Sequence, residues 1–318
     1  MIKFILQEMT FLKYFMPVVI EANRRGIKTQ MLVGSNVKYT NPQRFIKRLA
    51  QIENEYKVSM VPLNDESLAE GIFITVEGVM SDRIPRSNKV VSLTAFTDFS
   101  LLYDKYIENV DYVVFPNKFL ADFYNKLSPK NIYVGSPVFD IEIDPDEVKK
   151  KYEIKADKNV LLLFPRFKSM HLLDIKKIYG YLDQMGYSVL LKARGKEPVP
   201  DDLRHGRYFE DEAWYPHPTM ELMEVADFVI NTDSTAIMEC IMSKTPLINF
   251  HLKPFVPLES LYNYKYCEQV NHGVSFDDFQ AIVEKLLSRK LSKEFDKARK
   301  RYLFKAGGVS GKILDCVM

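Results

Sequence analysis

Cysteine is scarce in this chain of 318 residues, which carries only Cys240, Cys267 and Cys316. Their number is odd, and their spacing suits neither a disulfide framework nor a zinc site. The formal net charge is only +2, so the composition gives no electrostatic reason to expect binding to nucleic acid or to an acidic membrane surface. We therefore expect a cytoplasmic protein without disulfides or a bound metal ion.

Long apolar runs are also lacking. No stretch reaches the roughly eighteen uninterrupted apolar residues that a transmembrane helix needs, so none is expected. The nearest case is residues 1–26, but Gln7, Glu8 and Lys13 interrupt it and no small-residue cleavage site follows. We interpret this segment as a first β-strand followed directly by an amphipathic helix.

Several catalytic signatures are missing too. The chain has no Gly-x-Gly-x-x-Gly, no Walker-type lysine loop, no His-Glu-x-x-His and no Gly-x-Ser-x-Gly. Its five histidines show no ligand spacing. These absences speak against nicotinamide chemistry, ATP hydrolysis, zinc proteolysis and lipase-like acyl transfer, and we expect no cofactor.

What the chain does have is a regular alternation of short apolar strands with amphipathic helices. Strands are predicted in the first half at Lys3–Leu6, Lys28–Val33 (ended by Gly34), Val58–Val61, Gly71–Val76, Lys89–Leu93, Tyr112–Phe115 and Ile132–Val134. In the second half they are predicted at Asn159–Phe164, Ser188–Lys192, Arg207–Phe209, Phe228–Ile230 and Pro246–Phe250. This alternation predicts an α/β protein whose parallel sheets are covered by helices on both faces.

A break in the alternation predicts a domain junction. Pro137 and Pro145 flank a non-periodic acidic stretch, after which Asp144 and Pro145 form a helix start. We therefore expect two Rossmann-like, doubly wound domains, 1–143 and 144–318, facing a cleft that holds the active site. The prediction leaves open that the helix from Ser310 packs back on the first domain.

The most informative segment is Asp227–Phe250. It is read as a buried strand, a polar turn, a helix of about three turns and a second strand opening at Pro246. Asp233 or Ser234 is the expected N-cap. Because the carboxyl edge of a parallel sheet beside a helix N-terminus suits phosphate, Ser234 and Thr235 are expected to bind a diphosphate, and Glu239 a ribose diol. The alternative is an ordinary capped helix with a solvated glutamate.

Cations follow the two neighbouring strands. Arg166 and Lys168 come just after Asn159–Phe164, while Lys192 and Arg194 end the next strand. Arginine and lysine at adjacent strand ends are well placed to meet a diphosphate from the side opposite Ser234. The alternative for each of them alone is a solvated loop cation.

An aromatic loop spans Phe209–His217 and contains Trp214, the only tryptophan of the chain. Trp214 and Tyr215 could stack on a nucleobase. The alternative is that they anchor the loop on the core.

An inverting transfer requires a carboxylate or a histidine in the first domain, because the acceptor hydroxyl has to lose its proton when it attacks. Asp98 and Glu77 both follow predicted strands and are the candidates. The alternative for each is a turn or capping residue.

The segment Asp227–Phe250 and the two-domain pattern together resemble the GT-B glycosyltransferases. The nearer likeness is to the branch of CDP-glycerol glycerophosphotransferases and bacterial surface-glycan transferases. That group's donor domain has a strand, Asp/Thr-x-Ser-Ser/Thr, a helix with an acidic residue, and a proline opening the next strand. Here these positions are occupied by Asn231 to Thr235, by Glu239 and by Pro246. Two further segments are similar to family elements, Val134–Asp140 to the one that closes the first domain and Ala306–Ile313 to the glycine turn before the last helix.

Two departures bear on function. The group often has a His-Gly pair, with the histidine proposed as base, where this chain has Thr94-Ala95. Related UDP-N-acetylglucosamine 2-epimerases carry His-Arg-x-x-Asn where this chain has Pro165 to Lys168, which favours transfer over epimerisation. The resemblance implies a metal-independent glycosyltransferase that moves a sugar from a nucleotide donor, UDP-linked or other, to a glycan or other hydroxyl acceptor. A sugar-nucleotide epimerase or hydrolase, and a non-catalytic nucleotide- or glycan-binding module, remain alternatives.

Overall fold

The computed structural model describes residues 1–38, 42–94, 109–116, 131–165, 173–193, 198–210, 215–252, 259–302 and 307–318. Several residues with predicted roles lie outside these ranges, namely Asp98, Arg166, Lys168, Arg194 and Trp214. The chain divides into two compact units. Unit 1 contains Met1–Ile141 together with Lys300–Met318, and unit 2 contains Glu142–Arg299.

Thirteen strands lie in the described part of the chain, seven in unit 1 and six in unit 2. Those of unit 1 are β1 (Ile2–Glu8), β2 (Thr29–Lys38), β3 (Ser59–Pro62), β4 (Ile72–Val76), β5 (Lys89–Leu93), β6 (Tyr112–Phe115) and β7 (Asn131–Tyr133). Those of unit 2 are β8 (Asn159–Leu163), β9 (Ser188–Lys192), β10 (Arg207–Phe209), β11 (Phe228–Asn231), β12 (Leu247–Phe250) and β13 (Cys267–Val270). All described pairings are parallel, which confirms the predicted α/β architecture.

The helices connect these strands. In chain order the described α-helices are α1 (Leu12–Arg24), α2 (Pro42–Tyr56), α3 (Asp65–Leu68), α4 (Pro145–Lys151), α5 (Ile175–Gln184), α6 (Pro218–Met223), α7 (Ile237–Ser243), α8 (Phe276–Leu287), α9 (Ser292–Tyr302) and α10 (Val309–Val317). Asp144 caps α4 by accepting a hydrogen bond from the N–H of Asp146, as its position before Pro145 predicts.

The sheet of unit 1 has the order β3-β2-β1-β4-β5-β6-β7 and is buried on both faces. On one face, Phe4 packs against Phe15 of α1 with ring centroids 5.3 Å apart. On the other, Ile5 belongs to a core cluster that includes Leu32 and Phe73. Because both alternating sets of side chains in β1 meet apolar partners, Phe4, Ile5 and Leu6 form a continuous apolar run rather than an alternating pattern.

Helix α10 completes unit 1 by packing on α1. The guanidinium of Arg25 donates to the carboxylate of Asp315 at 2.5 Å, and it also donates to Glu21 at 2.7 Å. Gly311 leaves space for this guanidinium, since a Cβ at this position would lie 2.7 Å from Arg25 Nη2. Residues 300–318 therefore belong to the compact unit formed by the first 141 residues.

Two strand predictions need correction. Strand β2 continues through Gly34 to Lys38, because β1 carries an irregularity between Leu6 and Glu8 and keeps pairing beyond it. A Cβ at Gly34 would lie 2.6 Å from Gln7 Oε1, so a larger residue there would displace the amide end of the Gln7 side chain. The prediction that Pro246–Phe250 completes the second sheet is also wrong. Strand β13 pairs with β12 at the edge, and its short, partly polar sequence gives only a weak strand signal.

Candidate functional site

The sheet of unit 2 has the order β10-β9-β8-β11-β12-β13. The chain therefore runs outward from β8 in one direction and from β11 in the other, so these two neighbours form the topological switch point. Strand β11 pairs directly with β8, with Phe228 opposite Val160 and Ile230 opposite Leu162. In open α/β sheets the ligand site lies outside the carboxyl ends of the strands at this point. Strand β11 is followed by the polar turn that the sequence predicts within Asp227–Phe250.

This turn, residues 232–236, leads into α7 without the predicted cap. The helix begins at Ile237 with Ala236 at the N-cap position, and no side chain caps it. Asp233 has a left-handed backbone with φ of 50°, whereas an N-cap residue is typically extended. The expected three-turn helix capped by Asp233 or Ser234 is therefore a seven-residue helix preceded by a separate turn.

Asp233 is fixed instead by residues at the end of β12. Its side chain is buried, and one carboxylate oxygen accepts from Asn249 Nδ2 at 2.8 Å and lies 3.3 Å from His251 Nδ1. The other oxygen accepts from the N–H of Leu252 at 2.6 Å. In return, Asn249 Oδ1 accepts from the N–H of Asp233 at 2.9 Å. These bonds join the turn after β11 to the segment after β12. The hydrogen bonds of Asp233 therefore hold the turn in its conformation.

Tyr262 and Asn231 hold the next residue of the turn. The Tyr262 hydroxyl donates to the Ser234 carbonyl at 2.9 Å, and Asn231 Nδ2 lies 3.2 Å from the same oxygen. Burial, and to a smaller extent the Asp233 carboxylate, raises the pKa of Tyr262. The hydroxyl therefore stays protonated and keeps donating at neutral pH.

These hydrogen bonds satisfy the N–H and carboxylate of Asp233 and the carbonyl of Ser234. Other polar groups in and beside the turn have no partner among the described residues. Within the ranges that the structure describes, the N–H groups of Ser234 and Thr235 donate to no acceptor. Over the same ranges, Asn231 Oδ1 and Thr232 Oγ1 are buried without a hydrogen-bond partner. Buried polar atoms are rarely left unpaired, so such atoms indicate a bound water or ligand.

Two of the predicted donor residues lie on this turn and one on the following helix. Ser234 is half-buried, and its hydroxyl accepts a long hydrogen bond from the N–H of Ala236 at 3.4 Å. Thr235 is exposed. Glu239 is 8% exposed and lies in the first turn of α7, where a carboxylate is stabilised by the positive end of the helix dipole. The structure thus places the three on one continuous segment at the switch point.

Lys192 ends β9, two strands away from β11. It pairs with Leu163 of β8 on one side and Phe209 of β10 on the other. Its side chain is buried, and the ammonium donates to the Ala193 carbonyl at 2.7 Å. At about 4.8 Å per strand, the ends of β9 and β11 lie roughly 10 Å apart along the same edge.

The loop before α6 is described only from Tyr215 onwards. Tyr215 is 6% exposed, and α6 follows at Pro218 with His217 at the N-cap position. Burial of Tyr215 favours the interpretation that this end of the loop is anchored on the core.

Unit 1 has a switch point of its own, between β1 and β4. Glu8 is the last residue of β1, and Glu77 directly follows β4. Glu77 has a left-handed backbone with φ of 54° and donates its N–H to the Leu93 carbonyl at 2.9 Å. The turn is held by a hydrogen bond from the N–H of Gly78 to the hydroxyl of Ser92 at 2.8 Å. A non-glycine residue with positive φ costs free energy that the surrounding structure has to offset, and such residues are concentrated at functional sites.

Among the residues that the structure describes, no group of three or more His, Cys, Asp and Glu side chains is arranged to hold a metal ion. None of the helices described has both the length and the apolar character needed to cross a membrane.

Comparison with known proteins gives a fold and no family. No family model matches the sequence, and no curated protein matches it either. Solved structures match over nearly the whole chain at low identity. The wall teichoic acid polymerase TagF soaked with CDPG aligns at 13% identity with a TM-score of 0.68, over 99% of this chain and 88% of that one.

Two further structures show that the proteins similar to this chain in structure have different activities. The glycotransferase of kitacinnamycin aligns at 11% identity and a TM-score of 0.63, over 100% of this chain and 99% of that chain. The UDP-GlcNAc 2-epimerase of Methanocaldococcus jannaschii, in complex with UDP-GlcNAc and UDP, aligns at 12% identity and a TM-score of 0.61, over 99% and 98%. At this identity the comparison shows the architecture alone: the chain has the GT-B fold, which glycosyltransferases and UDP-GlcNAc 2-epimerases share.

Proposed function

We propose that the protein is a glycosyltransferase that takes a sugar from a nucleotide-activated donor and passes it to a hydroxyl acceptor, with no essential metal ion. The observation that carries the proposal is the turn at the β8–β11 switch point. The N–H and the carboxylate of Asp233 and the carbonyl of Ser234 are hydrogen-bonded within the protein, while the N–H groups of Ser234 and Thr235 are left for a ligand. Unit 2 is the proposed donor domain, and unit 1 the proposed acceptor domain.

The donor phosphates are proposed to sit on this turn. Backbone N–H groups next to a helix N-terminus stabilise negative charge, and the two hydroxyls of Ser234 and Thr235 add donors. Lys192, with Arg166 and Lys168, is proposed to face the phosphates from the neighbouring strand ends. As the sugar leaves, these groups stabilise the charge that develops on the departing phosphate, which is the role a divalent cation has in other transferases.

The buried carboxylate of Glu239 is the proposed acceptor for the ribose hydroxyls of the donor. Asp233 is proposed to act indirectly, since its carboxylate is engaged by Asn249 and Leu252. In unit 1, Glu77 and Asp98 are the proposed bases for the acceptor hydroxyl. The strained backbone of Glu77 at the switch point supports the first of these.

The test begins with binding. The wild-type protein is titrated calorimetrically with UDP, CDP, GDP and CMP, and then with sugar-linked forms of whichever nucleotide binds. A transferase should bind one nucleotide with clear preference and hydrolyse its sugar-linked form slowly, with faster release of the nucleotide once an acceptor glycan is added. Absence of binding by any of the nucleotides would contradict the proposal and favour a module without nucleotide chemistry.

Epimerisation is the second candidate, because a structure in complex with UDP-GlcNAc and UDP shares this fold. It is distinguished by its product. Incubation with a UDP-linked sugar in the absence of acceptor would convert the sugar to its 2-epimer, which NMR of the sugar protons detects directly. A transferase would leave the sugar configuration of the unreacted donor unchanged.

A further inference from the structure

We infer that Asn249 and Tyr262 are positioning residues: from outside the turn, they hold residues 232–236 in the shape that presents the N–H groups of Ser234 and Thr235 to a phosphate. The inference rests on the proposed function, because the turn is the proposed donor site. Neither residue belongs to the segment of the turn or to α7, and both are almost fully buried at 1% and 3% exposure.

The first part of the argument is the conformation of Asp233. A left-handed backbone at a non-glycine residue is energetically unfavourable. Asn249 offsets this cost by accepting from the N–H of Asp233 and donating to its carboxylate, at 2.9 and 2.8 Å. This reciprocal pair fixes the direction of the chain as it leaves Asp233, and therefore the orientation of the next two N–H groups.

The second part is the carbonyl of Ser234. Tyr262 donates to it at 2.9 Å, and Asn231 Nδ2 approaches the same oxygen and the Tyr262 hydroxyl at 3.2 Å each. A peptide unit is planar, so fixing the carbonyl of Ser234 also fixes the N–H of Thr235 on its other side. Tyr262 therefore sets the direction of a donor that it does not itself present to the ligand.

The third part is the location of the two residues in the chain. Asn249 lies in β12 directly opposite Asn231 of β11, and Tyr262 lies in the 3-10 helix Glu259–Asn263. Both therefore lie in elements outside residues 232–236. An asparagine in the otherwise apolar run of β12 is costly to bury unless its amide is bonded, and here the amide bonds to the turn.

The experiment compares two tyrosine variants that lose the same group. Tyr262→Phe removes the hydroxyl bonded to Ser234, while Tyr179→Phe removes a buried hydroxyl bonded to the Leu203 carbonyl at 2.9 Å, elsewhere in unit 2. Hydrogen exchange by mass spectrometry follows the peptide covering residues 231–240. Calorimetry measures affinity for the nucleotide that the wild type binds best.

Tyr262→Phe should speed exchange of this peptide and weaken nucleotide binding, each by roughly 3- to 10-fold, and Tyr179→Phe should change neither. Asn249→Ala should give a larger effect of the same kind if it folds. If it does not fold, the result for Tyr262→Phe decides the test. Unchanged exchange in Tyr262→Phe, or faster exchange with unchanged nucleotide affinity, would overturn the inference. If the wild type binds no nucleotide but exchange still responds to Tyr262→Phe alone, the proposed function fails while the positioning of the turn stands.

Discussion

The carboxylate of Asp140 accepts a hydrogen bond from the N–H of Val309 at 3.1 Å, across 169 positions of sequence. Its other oxygen accepts from the N–H of Ser310, the next residue of α10. The N-cap residue of this helix is Gly308, which has no side chain to cap it. Asp140 therefore acts as a cap supplied from a distant part of the chain.

Replacing this remote cap should destabilise unit 1. Asp140→Ala should lower the free energy of unfolding by about 0.5–2 kcal/mol, because two N–H groups and the helix dipole lose their acceptor. Hydrogen exchange in residues 309–317 should rise in parallel. Asp144→Ala is the matched control, since it removes the local cap of α4. It should cost a similar free energy without changing exchange in α10, and equal exchange of α10 in both variants would contradict the assignment.

Ser234→Ala should weaken binding of the nucleotide donor by about tenfold or more, because a hydrogen bond to a charged phosphate contributes roughly 1.5–3 kcal/mol. Ser243→Ala is its control. The Ser243 hydroxyl donates to the Glu239 carbonyl at 3.1 Å at the far end of α7, and its loss should leave donor affinity unchanged. Calorimetric titration of both variants measures the difference, and equal affinities would remove Ser234 from the site.

Glu239→Gln tests the ribose contact separately. An amide retains hydrogen-bonding capacity but loses the charge-assisted bond, so affinity for a ribonucleotide should fall by about tenfold. Affinity for the corresponding 2′,3′-dideoxynucleotide should change little, because that ligand has no ribose diol. A similar loss for both ligands would show that Glu239 acts on something other than the ribose hydroxyls.

Glu77→Gln should reduce turnover with little change in donor affinity if Glu77 is the base, since deprotonation of the acceptor belongs to the chemical step. Asp98→Asn makes the same test for the second candidate. Glu66→Gln changes an exposed glutamate of the same unit and should leave turnover as it is. Steady-state kinetics with a fixed acceptor separates the three. If neither Glu77→Gln nor Asp98→Asn lowers the turnover number, both are excluded and Glu8 becomes the next carboxylate to replace.

Chelation provides a test of the metal-free mechanism. Transfer should proceed at the same rate after extensive treatment with EDTA, because N–H groups and cations carry the phosphate charge in the proposal. Loss of activity with EDTA, and its recovery with Mn²⁺ or Mg²⁺, would refute this part. Nucleotide affinity measured under both conditions shows whether any effect arises in binding or in chemistry.

The stability of unit 1 should depend on pH through Glu21 of α1. The Arg24 guanidinium, with a smaller contribution from Arg25, lowers the pKa of Glu21 from about 4.5 to about 2. Because the folded-state pKa is depressed, the stability contributed by Glu21 is present above pH 4.5 and is lost as the pH falls towards 2. The melting temperature of Glu21→Gln should therefore depend less on pH in this window than that of the wild type. Parallel pH profiles for the two proteins would contradict the shift.

Much of the architecture was predictable because the strands are short apolar runs bounded by polar residues. Lys89–Leu93, Tyr112–Phe115 and Ser188–Lys192 have the predicted bounds in the structure. The prediction failed where a residue's role depends on a distant partner. Gly34 looks like a strand end in sequence, but β2 continues through it and pairs with β1 as far as Lys38.

The candidate site shows the same limit. A polar turn after a buried strand makes Ser234, Thr235 and Glu239 candidates from local pattern alone. The predicted N-cap role of Asp233 was wrong because its carboxylate bonds to Asn249 and Leu252. The only signals for the two positioning residues were an asparagine inside an apolar strand and a tyrosine with no periodic context. Neither is specific without the tertiary structure.

The division of the chain has a consequence for biosynthesis. Residues 300–318 belong to the unit whose other part ends at Ile141. Asp140 therefore has to wait for Val309 and Ser310, 169 and 170 residues later, and Arg25 for Asp315, 290 residues later. At about 5–20 residues per second of translation, the shorter interval lasts on the order of 10–30 s. The unit that begins second in the chain can thus finish folding first, while α1 emerges with the face that receives α10 still open to water and to chaperones.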